Sequence, residues 1–245
     1  MAYNELRRLQ STVRIPGVYY ACRIGILVYI VMEYVQGETA ETLLNCARDE
    51  AAKEHVYRKM CFGLNELLRI PVPQKSRPQA VNGDRIRNMI FEDAQAPRHY
   101  QTVEQLEQHF NLYLKKRRKK HLIRSLSSEP MVFCYSDIRP ENFIIDKDNQ
   151  IFVIDFAHTS FLPSSFFKAN VRINSLWIVE YDLAQWINIP SREGIDNSLA
   201  VANCDYISDG SASERTPGYG WKPDNVTDDD FAPRINLCEN SGLKG

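Results

Sequence analysis

Three short apolar runs crowded into residues 131–156 limit the folds open to this chain more than any other feature. Residues 131–134, 143–145 and 151–154 are too short for helices and rich in Val, Ile and Phe, so each predicts a strand. Asp146, Lys147, Asp148, Asn149 and Gln150 join the last two, a turn composition that closes an antiparallel hairpin. The first and second runs flank a loop that carries Asp137 and, five residues later, Asn142. The third run ends at Asp155, which the hairpin returns to the side of Asn142.

Two carboxylates and an amide held this way suit phosphoryl transfer. One carboxylate meets an acceptor hydroxyl and takes its proton, while an Asn and a second carboxylate hold Mg²⁺ against nucleotide phosphates. Mg²⁺ keeps several waters, so one or two protein oxygens suffice. The bland alternative is that Asp137, Asn142 and Asp155 merely cap turns. Asp146 and Asp148 read as hairpin-turn residues.

The rest of the chain supplies elements to hold such a site. Residues 2–10 predict a short amphipathic helix, and 18–22 and 24–31 a pair of β-rich runs. Residues 41–70 carry helical apolar stripes, stopped by Pro71 and Pro73. A loop with a small hairpin near Asn82 and Gly83 follows. Thr102, with Gln105 three residues on, predicts a capped helix start. Weak helical periodicity returns over 171–186, and residues 191–245 predict a polar, disordered tail.

Composition excludes several classes. A formal net charge of −1 gives the chain as a whole no pull toward nucleic acid or membrane. The run KKRRKK at 115–120 reads first as a solvated helix end that suits the helix dipole, and second as a nucleic-acid or nuclear-import patch. The six cysteines show no Cys-x-x-Cys pair, so reduced thiols are expected rather than a zinc knuckle or disulfide framework. The apolar run 24–32 falls far short of the roughly 20 residues that span a bilayer and predicts a buried strand. No signal-peptide layout opens the chain, and a cytoplasmic, alternatively nuclear, location is expected.

The residues 135–142, Tyr-Ser-Asp-Ile-Arg-Pro-Glu-Asn, resemble the His-Gly-Asp-Leu-His-Pro-x-Asn motif of the aminoglycoside phosphotransferase and choline kinase group. Ile154-Asp155-Phe156 is similar to that group's Ile-Asp-Trp/Phe, and 29–39 to its hinge, Met-Glu-Tyr-x-x-Gly. Thr12 to Pro16 and the downstream Phe161-Leu162-Pro163 match further segments, the latter as in fungal-type members. The resemblance covers about residues 1–190, in order.

It implies an α+β, protein-kinase-like fold: a vestigial N-terminal lobe and hinge over 1–36, and a mostly helical C-terminal lobe with a catalytic β-hairpin over 37–190. It implies Asp137 as catalytic base, Asn142 and Asp155 as Mg²⁺ ligands, and Glu33, Tyr34 and Val35 as the backbone that meets the adenine of ATP. The acceptor would be a small-molecule hydroxyl, with neither membrane nor nucleic acid as partner. The family's phosphate-covering loop and strand lysine would lie ahead of Met1, so a truncated chain with impaired transfer is expected. The alternative is a pseudokinase that binds nucleotide or a protein partner without turnover. Tyr135 replaces the motif's usual His, and Ser136 its usual Gly.

Overall fold

A computed structural model describes residues 1–174 and 181–204. Helix α1 (Ala2–Arg8) leads into a hairpin of β1 (Val18–Ile24) and β2 (Leu27–Met32), which forms a sheet of its own. Strand β3 (Gly37–Thr39) and helices α2 (Ala40–Cys46) and α3 (Glu50–Leu68) follow. Next come β4 (Gln79–Ala80), α4 (Val103–Lys116), β5 (Met131–Tyr135), β6 (Phe143–Asp146), β7 (Ile151–Val153) and β8 (Thr159–Pro163). Helices α5 (Ser164–Asn174) and α6 (Ser198–Ala202) complete the described chain.

Two three-stranded antiparallel sheets carry the centre of the molecule, ordered β3-β6-β7 and β4-β8-β5. The hairpin expected from the turn at 146–150 is β6–β7, with Phe143 opposite Val153 and Ile145 opposite Ile151. Arg14 extends its outer edge, where its N–H donates to the Ile151 carbonyl and its carbonyl accepts from Val153 N–H. β3 lies so close to β6 that a Cβ at Gly37 would stand 2.6 Å from the Ile145 carbonyl oxygen. Backbone cannot swing aside as a side-chain tip can. Gly37→Ala is therefore expected to cost about 1–3 kcal/mol, read as a lower urea midpoint at unchanged m-value.

The core fills the space between α3, α4, α5 and β5. Met60, Cys61, Leu64 and Leu67 on α3, Phe110 and Leu114 on α4, and Phe166 and Phe167 on α5 are all buried. The Phe110 ring meets Phe166 edge-on at 5.2 Å and Phe91 at 5.7 Å. Gly63 lets α3 pass closely over the β6–β7 hairpin: a Cβ there would touch Ile151, Val153 and Phe143 at 3.4–3.5 Å. Burial pushes the Cys134 thiol up to about 12, so it behaves as a small core group and not as a nucleophile.

One buried carboxylate ties the helical part together. Glu129 accepts from Ser165 N–H at 2.8 Å, Ser165 Oγ at 2.6 Å and Asn197 Nδ2 at 2.7 Å. It thus joins the entry to β5, the first turn of α5 and the approach to α6.

Several expectations are corrected. The apolar run 24–32 forms a strand but is not buried: residues of β2 are 43–64% exposed and Ile26 at the turn is 90% exposed. A run of β-branched residues expresses a demand for burial without supplying the surface that meets it. The helical stretch 41–70 is two helices, because Ala47 turns extended and the Asp49 carboxylate caps the second by accepting from Ala52 N–H. Gln79 and Ala80 pair with β8, and Ala80 also closes the Asn82-Gly83 turn as expected, its N–H donating to the Asp84 carbonyl at 3.0 Å and its carbonyl accepting from Gly83 N–H at 2.9 Å. Residues 191–204, expected within the polar tail, include α6, whose Ala200 and Val201 are buried. Residues 205–245 lie outside the described residues, as do 175–180 within the weakly helical stretch 171–186, where α5 begins instead at Ser164.

The Thr102 cap forms as expected, Oγ1 accepting from Gln105 N–H at 3.3 Å, though Gln105 Oε1 reaches Gln101 N–H and not the cap residue. Lys115 and Lys116 end α4, and residues 115–120 are exposed, with Arg117 over the Tyr113 ring and Lys119 Nζ donating to Asn203. No described helix is long and apolar enough to cross a membrane. The five described cysteines are free thiols; Cys238 lies outside the described residues.

Candidate active site

Two loops meet at the ends of the central strands. One runs from Ser136 through a single turn of 3₁₀ helix, Pro140–Asn142, into β6. The other, residues 154–158, connects β7 to β8. They are sewn together by backbone. Ile154 N–H donates to the Asn142 carbonyl at 3.0 Å, and Ser136 N–H to the His158 carbonyl at 3.1 Å. Ser136 Oγ also donates to that carbonyl, at 2.9 Å.

Asp137 lies on the first loop, almost wholly buried. Asn142 Nδ2 donates to the Asp137 carbonyl at 3.0 Å, which commits the amide NH₂ group and leaves the amide oxygen as the atom suited to a cation. Asp155 follows directly on the residue that bonds Asn142. It takes a left-handed backbone, φ 54°, and its Oδ1 accepts from Ala157 N–H at 3.2 Å. A non-glycine residue in that region is strained, and such strain clusters where a side chain must be aimed.

Tyr135 is the hub of this arrangement. Its hydroxyl donates to the Ile154 carbonyl at 2.7 Å, pinning the peptide next to Asp155. Burial first, and then the negative charges of Asp137 and Asp155, push the Tyr135 phenol above its ordinary value. Arg139 feels them too: its guanidinium is held still more firmly protonated, first by its hydrogen bond to Asp137 and its charge, then also by Glu141 and Asp155.

The structure thus joins the loops that carry Asp137, Asn142 and Asp155. Among the described residues no group of three or more His, Cys, Asp or Glu side chains converges as a metal cage. The donor set is sparse and hard, one amide oxygen with carboxylates, which fits Mg²⁺ with its retained waters and poorly fits zinc.

Glu33, Tyr34 and Val35 stand apart from that cluster in the sequence, in the connector between β2 and β3. Glu33 is tied back to the start of β1, its N–H donating to the Gly17 carbonyl and its Oε2 accepting from Gly17 N–H. Tyr34 is 88% exposed, and neither it nor Val35 belongs to a strand. A cavity of about 560 Å³ opens between α1 and the start of β1, floored by Phe133, Phe156 and Thr159.

Sequence reasoning missed Arg139, which pairs with Asp137, and read His158, just after Asp155, first as a packing or surface residue and second as a site-lining one; its Nδ1 stands 3.9 Å from Asp137 Oδ2. Both stand within three residues of a motif residue, but spacing alone does not tell which of such neighbours turn inward.

A family model described as the APH phosphotransferase enzyme family matches residues 2–163. No curated protein sequence matches the chain significantly. Among solved structures, a thermostable mutant of aminoglycoside phosphotransferase APH(4)-Ia in its apo form is similar at 15% identity and a TM-score of 0.45, over 76% of this chain and 65% of that one. A ternary complex of such a mutant with AMP-PNP and hygromycin B gives 18% and 0.47, over 76% and 63%. The AMP-bound spectinomycin phosphotransferase APH(9)-Ia gives 12% and 0.44, over 81% and 69%. The chain spans about 65% of the length of the first of these.

Proposed function

Since the chain belongs to the APH phosphotransferase enzyme family, we propose that it transfers the terminal phosphate of ATP to a hydroxyl of a small molecule, with Mg²⁺ as cofactor. Its fold is the α+β, protein-kinase-like fold of that family. The observation that carries the proposal is the joining of the two loops through Asn142, whose Nδ2 donates to the Asp137 carbonyl and whose carbonyl accepts from the N–H of Ile154, next to Asp155.

In this reading Asp137 is the base. A carboxylate on a loop clamped at Ser136 and Asn142 is held in one orientation, which is what proton transfer from an incoming hydroxyl requires. Asn142 and Asp155 hold the cation, which when bound neutralises charge on the phosphate oxygens. Tyr135 fixes the peptide that aims Asp155. The connector at Glu33, Tyr34 and Val35 offers backbone groups to the adenine edge, and the acceptor approaches from the solvent side on which Arg139 is exposed.

A second reading, a nucleotide-binding protein without turnover, is favoured by one feature: the Asp137 carboxylate is engaged by Arg139. Binding separates neither reading but tests their shared premise. ATP with Mg²⁺ at a hundred times its dissociation constant is expected to stabilise the chain by about 2.7 kcal/mol, seen as a higher Tm. Chelation of Mg²⁺, or Asp155→Asn, is expected to abolish the shift. A native chain whose Tm ignores Mg-ATP contradicts both readings.

A further inference from the structure

Asp137 is covered on both oxygens by one guanidinium. Arg139 Nε donates to Oδ1 at 2.9 Å and Nη2 to Oδ2 at 3.5 Å. A carboxylate gripped by that fork has its outward lone pairs occupied and cannot accept a proton from a hydroxyl arriving along the same direction. For Asp137 to serve as base, Arg139 must leave it.

The geometry makes that departure easy. The Arg139 side chain is 46% exposed, against 4% for Asp137, and an ion pair with one partner so open to water holds weakly. Among the described residues Arg139 makes no side-chain hydrogen bond except to Asp137. Its charge already sits within the influence of Glu141 and Asp155 as well. A phosphate group brings more charge and a matching planar pair of oxygens, the target that guanidinium prefers.

The carboxylate left behind would be a buried charge without a partner, which is costly. His158 answers that need. Its Nδ1 is buried, lacks a hydrogen-bond partner, and stands 3.9 Å from Asp137 Oδ2. An orphaned buried nitrogen calls for an explanation. The His158 carbonyl is bonded by both Ser136 N–H and Ser136 Oγ, so the residue is held beside the carboxylate, its Nδ1 3.9 Å from Oδ2 and just beyond hydrogen-bond reach. As the neutral Nδ1–H tautomer it can donate with no change of charge.

We propose that Arg139 is a mobile phosphoryl-binding residue that leaves Asp137 for the phosphate being transferred, and that His158 Nδ1 closes on Asp137 as it goes. The inference rests on the phosphotransferase reading above. His158 acts through Asp137 and is a positioning residue; Arg139 touches the substrate.

The test is calorimetric binding to the full chain in Mg²⁺, with ADP and with a non-hydrolysable ATP analogue. Arg139→Gln is expected to weaken the ATP analogue about tenfold and leave ADP unchanged, because only the third phosphate is gripped. Arg139→Lys should recover part of the loss. In native protein with ¹⁵N-labelled histidine, the analogue should give His158 a hydrogen-bonded, protonated Nδ1, and ADP should not. Equal affinity of native and Arg139→Gln protein for the analogue, or a His158 Nδ1 that stays unprotonated with it, overturns the exchange while the phosphotransferase reading stands. A native chain that binds neither nucleotide removes both.

Discussion

Asp137→Asn is expected to slow phosphate transfer by roughly 10²–10⁴-fold, the usual contribution of a positioned general base. The substitution keeps the shape of a side chain that is only 4% exposed, and the loop keeps its bonds through Ser136 and the Asp137 carbonyl. What goes is the lone pair that takes the proton and the charge that holds Arg139. Stability should barely move, because Arg139 is half in water and readily rehydrates. Nucleotide binding should persist as well, since Asn142 and Asp155 are untouched. The measurement is transfer of labelled terminal phosphate to a panel of amino and sugar alcohols, with Tm recorded in parallel. A variant as active as the native chain would remove Asp137 from the chemistry.

The largest loss of stability is expected at Glu129. Glu129→Ala deletes an acceptor that three donors meet at 2.6–2.8 Å. Hydrogen bonds to a charged group contribute about 1.5–3 kcal/mol each, and buried donors left without acceptors add to the penalty. Part is regained by relaxation, so a net loss of about 4 kcal/mol is expected, lowering Tm by roughly 10 °C. Urea unfolding at constant m-value measures it. Glu129→Gln should fall between, since one amide oxygen still accepts while the NH₂ faces other donors. A loss below about 1 kcal/mol in the alanine variant would mean that α5 and α6 are held by their apolar faces alone.

Glu129 also marks where reading a sequence runs out. A Glu before a strand gives no sign that it will gather Ser165 and Asn197, which lie 36 and 68 residues further on. Local signals were legible: the cap at Thr102, the turn at 146–150, and the loop-and-hairpin layout that returns Asp155 to Asn142. Each depends on neighbours a few residues apart, where chain geometry decides the outcome. Asp49 carried an equally local signal, a capping carboxylate three residues before Ala52, but the surrounding apolar periodicity ran on through it and masked the break. The closeness of β3 to β6 at Gly37, the inward turn of Arg139 and the orphaned nitrogen of His158 belong to a different class. They arise from packing between distant segments, and one chain alone does not encode them in any readable spacing.

Uncovered apolar side chains on β1 and β2 bear on how the protein behaves in a test tube. Among the described residues the ribbon has two unpaired edges and little charge, with Arg23 its one ionic residue. Such a surface recruits strands from any neighbour and binds environment-sensitive dyes. Light scattering should therefore climb steeply with protein concentration even where the rest of the chain is fully folded.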